Sequence, residues 1–200
     1  MKILQNSFNQ YLNKNYFFEK KPNIAVAVSG GPDSMCLIHL LKNWINLNKG
    51  NLVALIIDHQ LRKESKEESH LIKNYLLKNK ISTKIIKINK KLVIKKNMKE
   101  ARENRYDKLI KYCNRKNILH LFLAHHYDDN IETFLIRKLS GSNFEGLRGM
   151  QYKSINNSIQ ILRPLLSNTK KEILEFNLIN KIFYLNDPSN LNTKYTRVAI

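Results

Sequence analysis

Short apolar runs rich in β-branched residues alternate along this chain with stretches whose apolar residues recur every three or four positions. No other feature restricts the fold as strongly. NIAVAVSG (23–30), NLVALIID (51–58), STKIIKIN (82–89) and LHLFLAH (119–125) read as strands, with SIQILRPLL (158–166) as a fifth. Residues 34–47, 64–79, 97–117 and 128–139 have helical spacing, 3–18 forms an amphipathic opening helix, and NTKKEILEF a short closing one. SGSNFEGLRGM (140–150) reads as a glycine-bearing loop. Strands apolar on both faces and joined by helices specify an α/β fold with a doubly wound, mostly parallel sheet flanked by helices. No repeat or linker divides the 200 residues, so one domain over 1–200 is expected. In such sheets ligands bind beyond the carboxyl ends of the strands, where strand order reverses. Function is therefore sought in the residues that follow each strand.

Composition excludes several classes. The chain is 42% hydrophobic, enough for a core, and its 6 Gly and 4 Pro are too few for a fibrous or low-complexity protein. Cys36 and Cys113 are its only cysteines, which rules out a disulfide scaffold or a four-thiolate zinc site and points to a reducing compartment. No apolar run approaches the roughly 20 residues of a membrane span. Residues 1–18 lack a signal-peptide core. A cytoplasmic protein with no membrane partner is expected, and an oligomer is compatible with the sequence. The net charge is +19, and residues 61–120 alone hold 19 basic against 6 acidic groups. Such a segment suits a polyanion, nucleic acid first. Yet 27 of the 35 basic residues are lysine, which drift toward A/T-rich codons would also produce. Charge alone leaves the two readings level.

The first strand runs into Ser29-Gly30-Gly31-Pro32-Asp33-Ser34. Two glycines permit φ > 0 and close backbone approach, and Pro32 suits the first turn of a helix. The loop aims N–H groups and a positive helix end at an anion, Ser29 and Ser34 add hydroxyls, and Asp33 is a ligand for Mg²⁺. A well-capped tight turn is the alternative. The position after a buried first strand favours phosphate binding. No Gly-Lys-Ser/Thr follows and no G-x-G-x-x-G is present, so neither a Walker A loop nor a dinucleotide fingerprint fits.

The second strand ends in Asp58-His59-Gln60-Leu61-Arg62, and the fourth in AHHYDDNIET (124–133). Two histidines and three carboxylates there suggest a metal, with His125 and Asp129 four residues apart and His126 and Asp129 three apart. The competing reading is helix capping, Asp129 with Glu132. Without a cysteine, Mg²⁺ and acid–base roles at an active-site edge suit the cluster better than structural zinc. On the preceding helix, Arg102 and Arg105 lie one turn apart, either as plain surface or as contacts to an ATP or RNA phosphate.

SGGPDS resembles the loop of the N-type ATP pyrophosphatases, the PP-loop superfamily, which implies a Rossmann-like fold that grips ATP and cleaves between its α and β phosphates. With IDHQLRKES, EARENRY, LAHHYDDNIETFLIRKL, GLRGM, ILRPLL and NDPSN, the chain resembles the tRNA(Ile)-lysidine synthetases from residue 24 to about 197. The resemblance implies that ATP adenylates the C2 carbonyl of the wobble cytidine in the isoleucine tRNA with a CAU anticodon. The ε-amine of free L-lysine then displaces AMP. It also implies that Ser29, Gly30, Gly31, Pro32, Asp33 and Ser34 hold ATP and that Asp33 and Asp129 are the carboxylates near Mg²⁺. Arg102, Arg105 and His126 then contact ATP, stabilise charge or orient the cytidine. The family's RGSG reads Ser140-Gly141-Ser142-Asn143 here, and its DHGLR has Gln60 in place of glycine. Most members continue past the segment here reading Tyr195-Thr196-Arg197-Val198 into C-terminal tRNA-binding domains, and these are expected to be absent. A tRNA thiolase lacks its cysteine pair here. A small-molecule synthetase and a non-catalytic RNA-binding module remain as alternatives.

Overall fold

β1 (Asn23–Val28) lies inside a six-stranded sheet of order β3-β2-β1-β4-β6-β5, built from β2 (Asn51–Asp58), β3 (Ser82–Lys87), β4 (His120–Phe122), β5 (Lys153–Asn156) and β6 (Ile159–Leu162). This computed structural model describes residues 2–58, 63–87 and 98–185; His59 to Arg62, NDPSN and the segment around Arg197 lie outside the described residues. The helices are α1 (Lys2–Asn15), α2 (Pro32–Leu47), α3 (Lys63–Lys78), α4 (Met98–Arg115), α5 (Tyr127–Leu139) and α6 (Lys170–Ile179). β1 pairs in parallel with β2 on one side and β4 on the other, and only β5 runs antiparallel.

The pleat of β1 explains the layering. Ile24, Val26 and Val28 point into a core completed by Leu12, Met35, Leu41, Trp44, Ile72 and Phe176, whereas Ala25 points to the opposite core with Leu109, Ile110 and Cys113 of α4. Helices thus cover both faces of the sheet, as strands apolar on both sides require. Among the described residues no helix is long and apolar enough to cross a membrane.

Three elements differ from the sequence reading. α1 stops at Asn15, and Phe18 turns in to lie 4.7 Å from the Trp44 ring. The fourth strand is only three residues long, although Leu123 N–H still donates to Leu162 O at 2.9 Å. The run 158–166 contains the β6 strand, preceded by the unanticipated β5. The two join through Asn157 and Ser158, both with positive φ (45° and 67°), as a two-residue hairpin turn with right-handed twist requires. Buried Arg163 holds the hairpin, donating through Nη1 to Gln151 O (3.0 Å) and Ser154 Oγ (3.1 Å).

Strand order reverses between β1 and β4. The chain winds outward through β2 and β3, then returns to start the other half at β4. The crevice beyond the carboxyl ends of these two strands is where such a sheet binds ligands.

Candidate active site

The loop leaving β1 is organised by a buried hydroxyl. Ser34 Oγ accepts the N–H groups of Ser29 and Gly30, each at 3.2 Å, and donates to Gly31 O at 3.0 Å. Gly31 N–H turns to Ser29 Oγ at 3.4 Å. The loop amides expected to aim at an anion are therefore folded onto serine hydroxyls. The donors left for an anion are the Asp33 and Ser34 amides in the first turn of α2, since Pro32 has no N–H and Met35 N–H donates to Gly31 O at 3.1 Å. Gly30 alone takes a positive φ (+91°), and a Cβ there would meet Ile72 Cγ1 at 2.9 Å. Gly31 is the N-cap, with φ −73°, and a Cβ there would touch only Ser29 Oγ at 3.6 Å. Only one of the two glycines thus serves the backbone; the other keeps the mouth of the loop open. Pro32 opens α2 as expected, and buried Asn177 of α6 donates to its carbonyl at 2.9 Å.

The loop leaving β4 meets this one. His126 is the buried N-cap of α5, and its N–H donates to Asp129 Oδ2 at 3.0 Å. The carboxylate that caps the helix is thus Asp129 acting back on His126, rather than the Asp129–Glu132 pair. His126 Nε2 lies 3.7 Å from Asp33 Oδ1 and 3.6 Å from Asp129 Oδ2, so one imidazole stands between the carboxylates of the two loops. Asp128 joins the starts of α5 and α6, because its Oδ2 accepts Lys170 N–H at 2.8 Å.

Lys170 lies outside the set of residues the sequence singles out. It is the first residue of α6, behind a capping box in which Thr169 Oγ1 accepts Glu172 N–H and Glu172 Oε2 accepts Thr169 N–H. Its Nζ donates to Asp33 Oδ1 at 2.5 Å. The signal available was positional, since Lys170 follows the β6 strand just as Asp33 follows β1.

A cleft of about 450 Å³ opens between these loops, lined by Ser29, Asp33, Ser34, Arg105, His125 and Asp129 and floored by Ala27, Leu55 and Leu123. The geometry collects Asp33 and Asp129 with Arg105 beside one cavity, and His126, which does not line it, holds its Nε2 within 3.7 Å of both carboxylates. Arg102 stands apart: it is exposed, with its guanidinium 5.7 Å from the centre of the Tyr106 ring. No group of three or more His, Cys, Asp or Glu capable of holding a metal occurs among the described residues. Two oxygen ligands nevertheless suit Mg²⁺, which keeps most of its water and takes one or two carboxylates beside phosphate. Asp33 and Asp129 provide that donor set on the wall of a cleft large enough for a nucleotide.

Residues 1–200 match the PP-loop domain family. The chain belongs to that family. PP-loop domains of this kind bind ATP, consistent with the phosphate-type loop after β1. The curated tRNA(Ile)-lysidine synthases of Wolbachia pipientis and Orientia tsutsugamushi are 39% and 37% identical over 95% and 92% of this chain. The chain spans only 44% and 41% of those two relatives' lengths. Among solved structures, a U34-tRNA thiolase from Methanococcus maripaludis holding a [4Fe-4S] cluster superposes with a TM-score of 0.80, at 15% identity over 99% of this chain and 71% of its own. NMN synthetase from Francisella tularensis superposes with a TM-score of 0.59, at 18% identity over 95% of this chain and 72% of its own. At these identities the structural likeness speaks for the PP-loop fold alone. The chain's two cysteines are buried on opposite faces of the sheet, burial and then the Asp33 charge push the Cys36 thiol up, and burial pushes Cys113 up to about 12.

Proposed function

We propose that this PP-loop domain carries the chemistry of a tRNA(Ile)-lysidine synthase in the cytoplasm. ATP would activate the C2 carbonyl oxygen of the wobble cytidine in the CAU-anticodon isoleucine tRNA, with pyrophosphate leaving. The neutral ε-amine of free L-lysine would then attack C2, and AMP would leave. The observation that carries this reading is the pair of carboxylates, Asp33 and Asp129, brought from two strand ends to either side of His126 on one nucleotide-sized cleft. The names of the relatives supply the substrate.

In this reading Ser29 and the start of α2, with Gly30, Gly31, Pro32 and Ser34 shaping the approach, hold the phosphates. Asp33 and Asp129 would hold Mg²⁺, which when bound neutralises phosphate charge. Arg105 faces the same cavity as a fixed cation for charge that develops during adenylation, the kind of contribution worth roughly 3–4 kcal/mol. His126 positions both carboxylates. Lys170 holds Asp33 in place while no phosphate is present and lies within reach of one that arrives. Arg102, on the outer rim, is suited to tRNA rather than to ATP.

The test is incubation with labelled lysine, ATP and bulk tRNA. Label entering tRNA only with ATP supports the reading. Pyrophosphate release driven by a small acceptor, with no label in tRNA, would replace it with a small-molecule synthetase. Tight RNA binding without ATP turnover would leave a binding module.

A further inference from the structure

Charge composition by itself could not separate an RNA-binding surface from lysine drift; the placement of the charges does. On α4, Leu109, Ile110 and Cys113 are buried against the sheet, with Tyr106 partly buried beside them. At about 100° per residue, Arg105, Lys108 and Arg115 fall along one flank of the helix. Arg105 lines the nucleotide cleft. Lys108, Lys111, Asn114 and Arg115 line a separate surface depression of about 390 Å³ with Ile86 of β3. Glu103 lies on the side of α4 away from Arg105 and Lys108, and Asp107 is taken up by Lys111 at 2.8 Å. Lys108 and Arg115 have no acidic partner among the described residues. Exposed Lys84 shares its face of edge strand β3 with Ile86. The connection from β3 to α4 carries Lys90, Lys91, Lys95 and Lys96 and no acid.

Random lysine gain would scatter cations among acids and leave them around the helix. Here, among the described residues, Arg105, Lys108 and Arg115 form a row that starts at the cleft and ends in a cation-lined depression, with Lys111 beside the row and Arg102 off it. From Arg105 to Arg115 the row covers about 15 Å of helix axis, the length of about four stacked nucleotides of one strand. We propose that this flank of α4, with the depression against β3, is the docking track for the phosphate backbone of the RNA whose base enters the cleft. The proposal rests on the tRNA-modifying reading above and adds to it where the strand lies. A lipid surface would be met by a flat cationic plane, whereas these cations run in a narrow row along one flank of a helix, ending in a concave depression.

The experiment compares the full chain with a triple variant, Lys108→Gln, Lys111→Gln and Arg115→Gln, and with a control triple, Lys20→Gln, Lys21→Gln and Lys49→Gln, exposed at the amino ends of the strands. Binding of tRNA is measured from about 50 to 200 mM salt, along with ATP binding and binding to phosphatidylserine vesicles. The track variant is expected to lose roughly two units from the slope of log K against log salt and at least about tenfold in low-salt affinity. Its ATP affinity stays unchanged, and the control stays close to the parent. An unchanged slope, an equal loss in the control, failure of the parent chain to bind tRNA, or loss confined to vesicles would each overturn the track. Failure of lysine transfer with the track intact would instead overturn the proposed reaction and leave the docking surface standing.

Discussion

Lys170 Nζ and Asp33 Oδ1 are hydrogen-bonded at 2.5 Å although 137 positions separate them in the chain. The contact closes the two halves of the sheet over the switch point, one partner following β1 and the other following β6. It also balances a carboxylate that already stands 3.7 Å from His126 Nε2.

Replacing the lysine should expose that dependence. Lys170→Met is expected to lower ATP–pyrophosphate exchange in the presence of tRNA roughly a hundredfold, the loss typical of one charged donor at a reacting phosphate or oxyanion. Lys170→Arg should recover most of the rate, because the cation is kept. If Met and Arg variants are equally slow while both melt like the parent chain, the ammonium has a packing role only.

Asp33→Asn should abolish exchange and leave the fold intact. Asp33 is partly exposed, so little packing is lost, while Mg²⁺ would lose a charged ligand and Lys170 its counter-ion. An unchanged exchange rate would remove Asp33 from the site.

The two glycines should separate fold from function. Gly30→Ala places a Cβ 2.9 Å from Ile72 Cγ1 on a backbone with φ +91°, and is expected to cost about 1–3 kcal/mol, read as a lowered urea midpoint. Gly31→Ala brings a Cβ against only Ser29 Oγ, at 3.6 Å, and at this N-cap should cost less than about 1 kcal/mol, yet weaken ATP binding by narrowing the mouth of the loop. Equal destabilisation by the two would contradict the conformations described.

What could be read in the chain, and what could not, follows from distance and exposure. The buried strands were legible because β1, β2 and β4 are apolar on both faces, and Asp33, His126 and Asp129 because each directly follows such a strand. β5 was not: KSIN is an exposed edge with no apolar alternation, and its only signal is Asn157-Ser158, a pair placed at positive φ. Lys170 is one lysine among 27, set apart only by its place after the β6 strand. The serine hydroxyls that fold the loop amides inward were invisible because the spacing of SGGPDS is the same whether those amides point in or out.

Acid stability should carry the signature of His39. Burial, and secondarily Lys42, press its pKa from 6.5 down to about 4, and its Nε2 shares a hydrogen bond of 3.2 Å with Tyr75 Oη, which also accepts the Phe183 N–H. The unfolded chain therefore takes up this proton first. The stability contributed by neutral His39 is complete above about pH 6.5 and declines as pH falls toward 4. The loss is on the order of 3 kcal/mol at the acid end. Urea midpoints measured from pH 7.5 to 4 should fall less steeply for His39→Gln; identical slopes would clear His39 of the effect.

Lysine attacks only as the free amine, and its pKa in solution is near 10.4. Turnover of a preformed adenylate should therefore accelerate from pH 7 toward pH 9. A flat profile would mean that deprotonation is not limiting, as when Asp129 takes the proton.

The division of the two cysteines between the layers makes the molecule its own pair of unfolding gauges. Cys36 lies beneath the layer formed by α1, α2, α3 and α6, Cys113 beneath α4, and both are sealed from solvent. No disulfide can join them through the sheet, so an alkylating reagent reports each side separately. Matched labelling rates would mean that both layers open as one cooperative unit; faster capture of Cys113 would mean that α4, the flank assigned to RNA, peels away while the phosphate loop on α2 stays folded.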